Sequence, residues 1–381
     1  MTNRKAPRRR HGFTLLAGGD LEWRSDVEPL SLLLDLRDTY DGRWPSMPLI
    51  RTEQTLKPDV FGDVLGAKLD VHAAESQKHA LSFDDPVNEA RYPFLKLRNE
   101  LRSADVTFAN LEMPLSSRAS KSGAFLGTPE FAKALQWAGF DVVSLANNHA
   151  FDAGEGGLAD TIESLHACGI GTVGAGLNLS GATRPFLKTV GGFTMGLLAY
   201  NQILGSAARV IFAGASQAGV APLSPELVCH DIQRLSEVAD AVVVSCHWGE
   251  ENSFEVHPVA RRLAHRFFEA GADVILGHHP HVPQAVEVRD GKVVFYSLGN
   301  FAFGHGHDYW DDNLLAQVTF VEGRVAAVEV LPIAGMHGQA SQPRRLTGVR
   351  ARRLLELIKA RCCEVDTKLT IQDSVGHLWL R

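Results

Sequence analysis

PVARRLAHRFFEAGADVILGHHPH, residues 258–281, decides the fold class. Pro258 opens a stretch with helical apolar spacing, and Gly271 closes it. The apolar run VIL follows at once and ends in three imidazoles, His278, His279 and His281. A helix feeding a buried strand that stops in polar residues is one repeat of a layered α/β fold. The same unit precedes it: LSPELVCHDIQRLSEVAD (223–240) reads as a helix and AVVVSCHWG (241–249) as the strand after it. Working outward, helices are expected over 129–140 and 156–169, and strands over 106–110, 141–149 and 171–176. FTLLAGGD (13–20) reads as the first buried strand.

Beyond residue 281 the pattern changes. Asp290-Gly291 separates two strand-like runs, and Glu322-Gly323 separates two more, so antiparallel hairpins are expected to extend the sheets. Residues 348–361 read as a terminal helix. The domain expectation is a basic disordered leader at 1–11, one α/β domain at 12–340, and a C-terminal helix and tail at 341–381. Residues 21–104, with Trp23 and Trp44, read as an insertion or lid after strand one.

Composition narrows the function. The 381 residues carry 38 Lys plus Arg against 44 Asp plus Glu, a net charge of −6, which argues against tracking a nucleic-acid backbone. No apolar run reaches the roughly 20 residues of a membrane span. The Arg-rich start is followed only by Phe13–Ala17 before Asp20 and Glu22 intervene, shorter than the roughly 7–15 apolar residues of a secretion signal. Five cysteines without a CxxC pair suit a reducing compartment, so a cytoplasmic protein is expected.

Polar residues that can bind metal end five successive strand signals: Asp20, Glu112, Asn148-His149, His247, and the 278–281 histidines. Open α/β sheets bring such positions together at the carboxyl ends of their strands. Mixed oxygen and nitrogen donors favour one or two ions of Mn, Zn, Fe or Ni over Mg or Ca. His279 and His281 are the preferred ligands of the HHPH cluster, and His278 is assigned a catalytic or supporting role. Trp248 reads first as core packing and second as a substrate-stacking ring.

Gly19-Asp20, ANLE (109–112), SLANNH (144–149), HWG (247–249), GHHPH (277–281) and YSLGNF (296–301), in this order, resemble the CapA family of bacterial capsule and poly-γ-glutamate biosynthesis. Its domain is similar to the calcineurin-like metallo-dependent phosphatase fold, and the likeness covers residues 12–20 and 92–330. The resemblance implies a four-layer αββα sandwich with mixed sheets, C-terminal hairpins and a dinuclear metal centre. By position it makes Asp20 the first-motif aspartate, Glu112 the bridging carboxylate and Asn148 a ligand. His149 becomes the imidazole that meets substrate, and His247, His279 and His281 become further ligands. Asn300 of YSLGNF is placed on the substrate side. Two departures stand out. Asp20-Leu21-Glu22 replaces the family's Asp-x-His, which makes Glu22 an alternative ligand, and Glu112 is one methylene longer than aspartate. A single-metal centre is therefore compatible with the motif set. Gly62-Asp63 and Gly304-His305-Gly306-His307 repeat the motifs without a feeding strand; His305 and His307 are kept as residues bordering the pocket.

Three functions fit this reading. The first is metal-dependent hydrolysis or transfer on a phosphoester, peptide or γ-glutamyl polymer. The second is acid/base epimerisation at a peptide Cα during maturation of a ribosomally made peptide. The third is a non-catalytic assembly subunit. Oligomeric state is left open.

Overall fold

The computed structural model describes residues 12–22, 90–118, 125–204, 210–303, 310, 312–334 and 342–380. The leader expected at 1–11, and residues 23–89 of the expected insertion, lie outside the described residues.

Chain order begins with β1 (Phe13–Glu22), β2 (Val106–Leu111), α1 (Glu130–Ala138), β3 (Val142–Ser144), α2 (Gly154–Ala167) and β4 (Gly171–Val173). It continues through β5 (Ala175–Gly176), β6 (Phe186–Val190), β7 (Phe193–Asn201), β8 (Gly219–Val220), α3 (Pro225–Ser236) and β9 (Ala241–His247). Then come α4 (Pro258–Ala270), β10 (Val274–His278), β11 (Val286–Arg289), β12 (Lys292–Phe295), β13 (Asn300–Phe303), β14 (Asp312–Val321) and β15 (Arg324–Ala334). The chain ends in β16 (Arg344–Arg345), α5 (Gly348–Cys363), β17 (Leu369–Gln372) and β18 (Val375–Leu378).

Local chemistry sets these boundaries. Pro258 occupies the first turn of α4, the His257 ring accepts the Val259 N–H, and Gly271 ends the helix in a left-handed conformation. The β11–β12 and β14–β15 loops are Asp290-Gly291 and Glu322-Gly323, with positive φ at all four residues, as a right-twisted two-residue hairpin requires.

Two sheets form the centre. The larger runs β17-β18-β15-β14-β1-β2-β3-β4, with β13 also paired to β1 and β16 to β15. The smaller runs β11-β12-β10-β9-β7-β6. Side chains alternate across each strand, so each sheet feeds two apolar layers. Leu15, Ala17, Val106 and Phe108 of the first sheet meet Leu197, Ala199, Val243 and Leu276 of the second in one inter-sheet core. On the outer face of the first sheet, Leu16, Ala109 and Val143 lie under Phe131 and Leu135 of α1 and Leu158 and Leu165 of α2. On the outer face of the second, Leu198, Val242, Val244 and Ile275 lie under Val228 and Ile232 of α3 and Leu263 and Phe267 of α4. The result is the expected αββα sandwich.

The C-terminal segment differs from the helix and tail read in the sequence. α5 places Ala351, Leu354, Leu355, Ile358 and Cys362 in the inter-sheet core, and β16, β17 and β18 join the larger sheet. The reason is the apolar stripe at helical spacing on α5, which buries against whatever closes the open flank between β11 and β15. Leu355→Ala removes a fully buried side chain and is expected to cost about 2–5 kcal/mol. Urea unfolding checks this; a loss below about 1 kcal/mol would mean that α5 is dispensable to the core.

Candidate metal centre

β1, β2 and β3 run parallel in one sheet and β9 and β10 in the other, so their carboxyl ends can meet. Asp20 stands in register with Asn110 on β2 and Asn300 on β13, and His247 stands in register with His278. Two glycines make the approach close enough. A Cβ on Gly19 would sit 1.8 Å from the Gly299 carbonyl oxygen, which accepts the Asp20 N–H at 3.0 Å. A Cβ on Gly277 would sit 1.9 Å from the Tyr296 carbonyl oxygen.

Asp20 and Glu112 are fully buried. The Asp20 carboxylate meets His278 Nδ1 at 3.1 Å, His281 Nδ1 at 3.3 Å and the His279 N–H at 3.4 Å. Glu112 lies 3.6 Å from His247 Nδ1 and 3.9 Å from His281 Nε2. His247 Nε2 contacts Asn148 Oδ1 at 2.8 Å, and its ring centroid lies 4.9 Å from that of His279. The two HxH imidazoles therefore serve different neighbours, His281 the carboxylates and His279 the His247 ring. Both residues hold left-handed backbones, φ 96° at His279 and 58° at His281, a strained conformation that side chains adopt when a site demands it.

Charge follows the geometry. Burial would raise the Asp20 carboxyl, but hydrogen bonds and charge from His278 and His281 outweigh it and hold the group well below its usual range. Burial would likewise strip His281 of its proton; the charges of Glu112 and Asp20, with the Asp20 and Asn300 hydrogen bonds, push it up to about 10 instead. His279 is driven down to about 3 by burial and by the neighbouring His281 charge. His247 is lowered well below its ordinary value by burial, with His279 adding to it.

The donor set fits a divalent cation. One donor atom each from Asp20, Glu112 and His281 lies within 4.8 Å of the others, and the buried His278 Nε2 and His279 Nδ1 have no hydrogen-bond partner. Oxygen and imidazole donors together suit a first-row transition ion.

The structure gives three of the candidates packed surroundings. Trp248 is fully buried, donates its indole N–H to the Tyr296 carbonyl at 3.0 Å and stacks on the Tyr296 ring, the core packing that was its first reading. Asn300 is 1% exposed and accepts at Oδ1 from His281 Nδ1 at 2.9 Å, which makes it a support for that imidazole and not a substrate contact. His278 is also 1% exposed and directs Nδ1 onto Asp20, which is the supporting role the sequence allowed it. Glu22 ends β1 and its side chain lies outside the described residues, as do His305 and His307.

Sequence reading passed over Asn110, Asn147, Asp152 and Phe125. Asn147 links Asn110 Oδ1 to the His149 N–H, which its own Oδ1 accepts at 3.0 Å. Asp152 Oδ2 receives His149 Nδ1 at 3.0 Å and the Phe125 N–H at 2.8 Å, and the Phe125 ring stacks on His149 with centroids 4.0 Å apart. A buried asparagine inside the apolar strand VTFANL was the available signal for Asn110. The i,i+3 spacing of His149 and Asp152 was the signal for the second pair.

An αββα sandwich of two mixed sheets, here with two buried carboxylates and several imidazoles at its strand ends, is the metallophosphatase-like fold class. The family model for the bacterial capsule synthesis protein PGA_cap matches residues 60–305, more than half of the chain, and the chain belongs to that family. The PGA biosynthesis protein CapA of Bacillus subtilis (strain 168) is 35% identical over 238 residues, 61% of this chain and 62% of that protein. The capsule biosynthesis protein CapA of Bacillus anthracis is 32% identical over 299 residues, 76% of this chain and 69% of that protein. The chain thus matches less than two thirds of the length of the first of these relatives. A solved structure, the calcineurin-like phosphoesterase YfkN from Bacillus subtilis, aligns at 13% identity with a TM-score of 0.37, covering 89% of this chain and 90% of that one.

Gly19→Ala is expected to break the β1–β13 approach and lower Mn²⁺ affinity by at least about tenfold, equivalent to about 1.4 kcal/mol, because a Cβ 1.8 Å from the Gly299 carbonyl oxygen can be relieved only by moving backbone. Isothermal titration measures it, and unchanged affinity would refute the close-contact account. In the metal-free chain His281 is protonated at pH 7, and a ligand imidazole must be neutral. Ion uptake at pH 7 should therefore release about one proton, with apparent affinity rising with pH up to about 10. Titration in two buffers of different ionisation enthalpy reads the proton directly; zero release contradicts the charge assignment.

Proposed function

We propose that the protein is a metal-dependent hydrolase or transferase acting on a γ-glutamyl amide during capsule-type polymer synthesis. The observation that carries this reading is the meeting of Asp20, Glu112 and His281 beside the His149–Asp152 pair. The relatives' assignment to PGA and capsule biosynthesis supports the substrate class. Five free cysteines support a reducing, cytoplasmic setting, and no described helix is long and apolar enough to cross a membrane.

Asp20, Glu112 and His281 would hold the ion, with His247, His279 and Asn148 next to them. A bound divalent ion supplies a polarised carbonyl or phosphoryl oxygen and an acidified water. The rest falls to the chain. Asp152 is almost wholly buried and accepts the His149 Nδ1 proton, which fixes the tautomer and leaves Nε2 to take up or return a proton. Phe125 stacks on one face of the ring and keeps it from swinging. His149 is about one-fifth exposed, so it can reach a substrate.

The test couples metal content to product. The purified chain is expected to hold stoichiometric metal and to release amine from a γ-glutamyl oligomer. His149→Ala should keep the ion and lose about 10²–10⁴-fold in kcat. Asp20→Asn should lose the ion. Bound metal without any turnover, or deuterium uptake from D₂O at an unhydrolysed Cα, would replace this reading with an assembly or epimerase role.

A further inference from the structure

β2 places one side chain beside both buried carboxylates. Asn110 is the cross-strand register partner of Asp20 and stands two residues before Glu112, and it is itself fully buried. A residue at this position must answer two anions at once.

Backbone groups settle which way its carboxamide faces. Asn147 Nδ2 donates to the Leu111 carbonyl at 2.7 Å, and Asn147 Oδ1 accepts the His149 N–H at 3.0 Å. Main-chain donors and acceptors cannot exchange roles, so the nitrogen end of Asn147 is fixed. That nitrogen lies 3.2 Å from Asn110 Oδ1, which therefore accepts. The Asn110 nitrogen is left facing Asp20 Oδ1 and Glu112 Oε1, each at 2.9 Å, with His247 Nδ1 at 3.3 Å. Its two hydrogens match the two carboxylates.

A carboxylate held by one oxygen loses its freedom to rotate, so the first oxygen dictates where the second points. Asp20 Oδ2 lies 3.3 Å from His281 Nδ1 and Glu112 Oε2 lies 3.9 Å from His281 Nε2, so both present the second oxygen to one imidazole. Glu112 Oε1 also lies 3.6 Å from His247 Nδ1, and the same orientation serves that ring. His278 Nδ1 joins the amide on Asp20 Oδ1 at 3.1 Å, and Asn110 adds the link from that oxygen to Glu112. Neighbouring buried anions repel, and a shared donor offsets that repulsion before any ion arrives.

We propose that Asn110 is a positioning residue for the metal centre: its amide holds one oxygen of Asp20 and one of Glu112, and so presents the second oxygen of each beside His281, where a divalent ion would bind. This rests on the metal-binding reading given under the proposed function, whatever the number of ions bound.

Mn²⁺ is the probe, added to the metal-free full-length chain and followed by isothermal titration and electron paramagnetic resonance. Asn110→Leu keeps the approximate shape and removes the donor. It is expected to bind Mn²⁺ at least about tenfold more weakly, with a changed zero-field splitting, because the carboxylates no longer hold their joint orientation. Leu355→Ala, which loosens the core at α5 and leaves the amide in place, is the control and is expected to keep wild-type affinity and spectrum. Unchanged or tighter affinity in a folded Asn110→Leu, or an unchanged spectrum, overturns the inference while leaving metal binding intact. An equal loss in Leu355→Ala does the same. No ion in the wild type overturns the metal reading itself, and this inference with it. Should Asn110→Leu fail to fold by circular dichroism, Asn110→Ser retains one hydroxyl donor on a smaller side chain. It is expected to bind more weakly than the wild type with an altered spectrum, and a folded Asn110→Ser that matches the wild type in either overturns the inference.

Discussion

Two carboxylates, Asp20 and Glu112, lie within a few ångströms of each other with no access to water, and the architecture of the site follows from that constraint. A buried anion without a partner costs several kcal/mol, so each oxygen must find a donor or a cation. The chain provides imidazoles from β10 and the loop after it, an amide from β2 and backbone N–H groups. Close approach of the strands is what delivers them, and glycines at 19 and 277 are what permit that approach. The left-handed backbones at His279 and His281 have the same origin, because aiming two rings from so short a segment leaves no relaxed alternative.

Around this centre the molecule is arranged in shells of decreasing polarity. Asn147 and Asn300 hold the residues that hold the carboxylates. Behind His247, Trp248 and Tyr296 form an apolar floor, and the Tyr296 hydroxyl donates to Glu287 at 2.6 Å. Glu287 also receives the Arg261 guanidinium through two bonds of 3.1 and 3.2 Å, which ties the floor to α4. Among the described residues of the site, His149 has a side chain about one-fifth exposed. There Asp152 holds the His149 ring by its Nδ1 at 3.0 Å.

Legibility in the sequence was uneven for identifiable reasons. Repeated helix–strand units were plain because burial on both faces of a parallel strand writes a continuous apolar run, as in VVVSC and VIL. Strand ends rich in Asp, Glu, Asn and His marked the candidate ligands for the same reason, since polar residues interrupt such runs only where something requires them. The C-terminal hairpin of β17 and β18 went unread: its strands are four residues each, half exposed, and joined by Asp373-Ser374 without a glycine. Asn300 was read on the substrate side because adjacency in a motif does not say which way a side chain points. Successive residues of a strand face opposite sides, so His247 and Trp248 part company by geometry alone.

What the sequence determined by itself is therefore the layered α/β class, the order of its repeating units and the residue types gathered at the strand ends. These depend on local period and burial, which a linear pattern records. The tertiary structure alone decided which oxygens face which imidazoles, that α5 closes the inter-sheet core, and that Asn110 donates to both buried carboxylates. Each of these rests on a contact between residues tens to hundreds of positions apart, set by sheet register and by how closely two backbones can pass, and no local pattern encodes it.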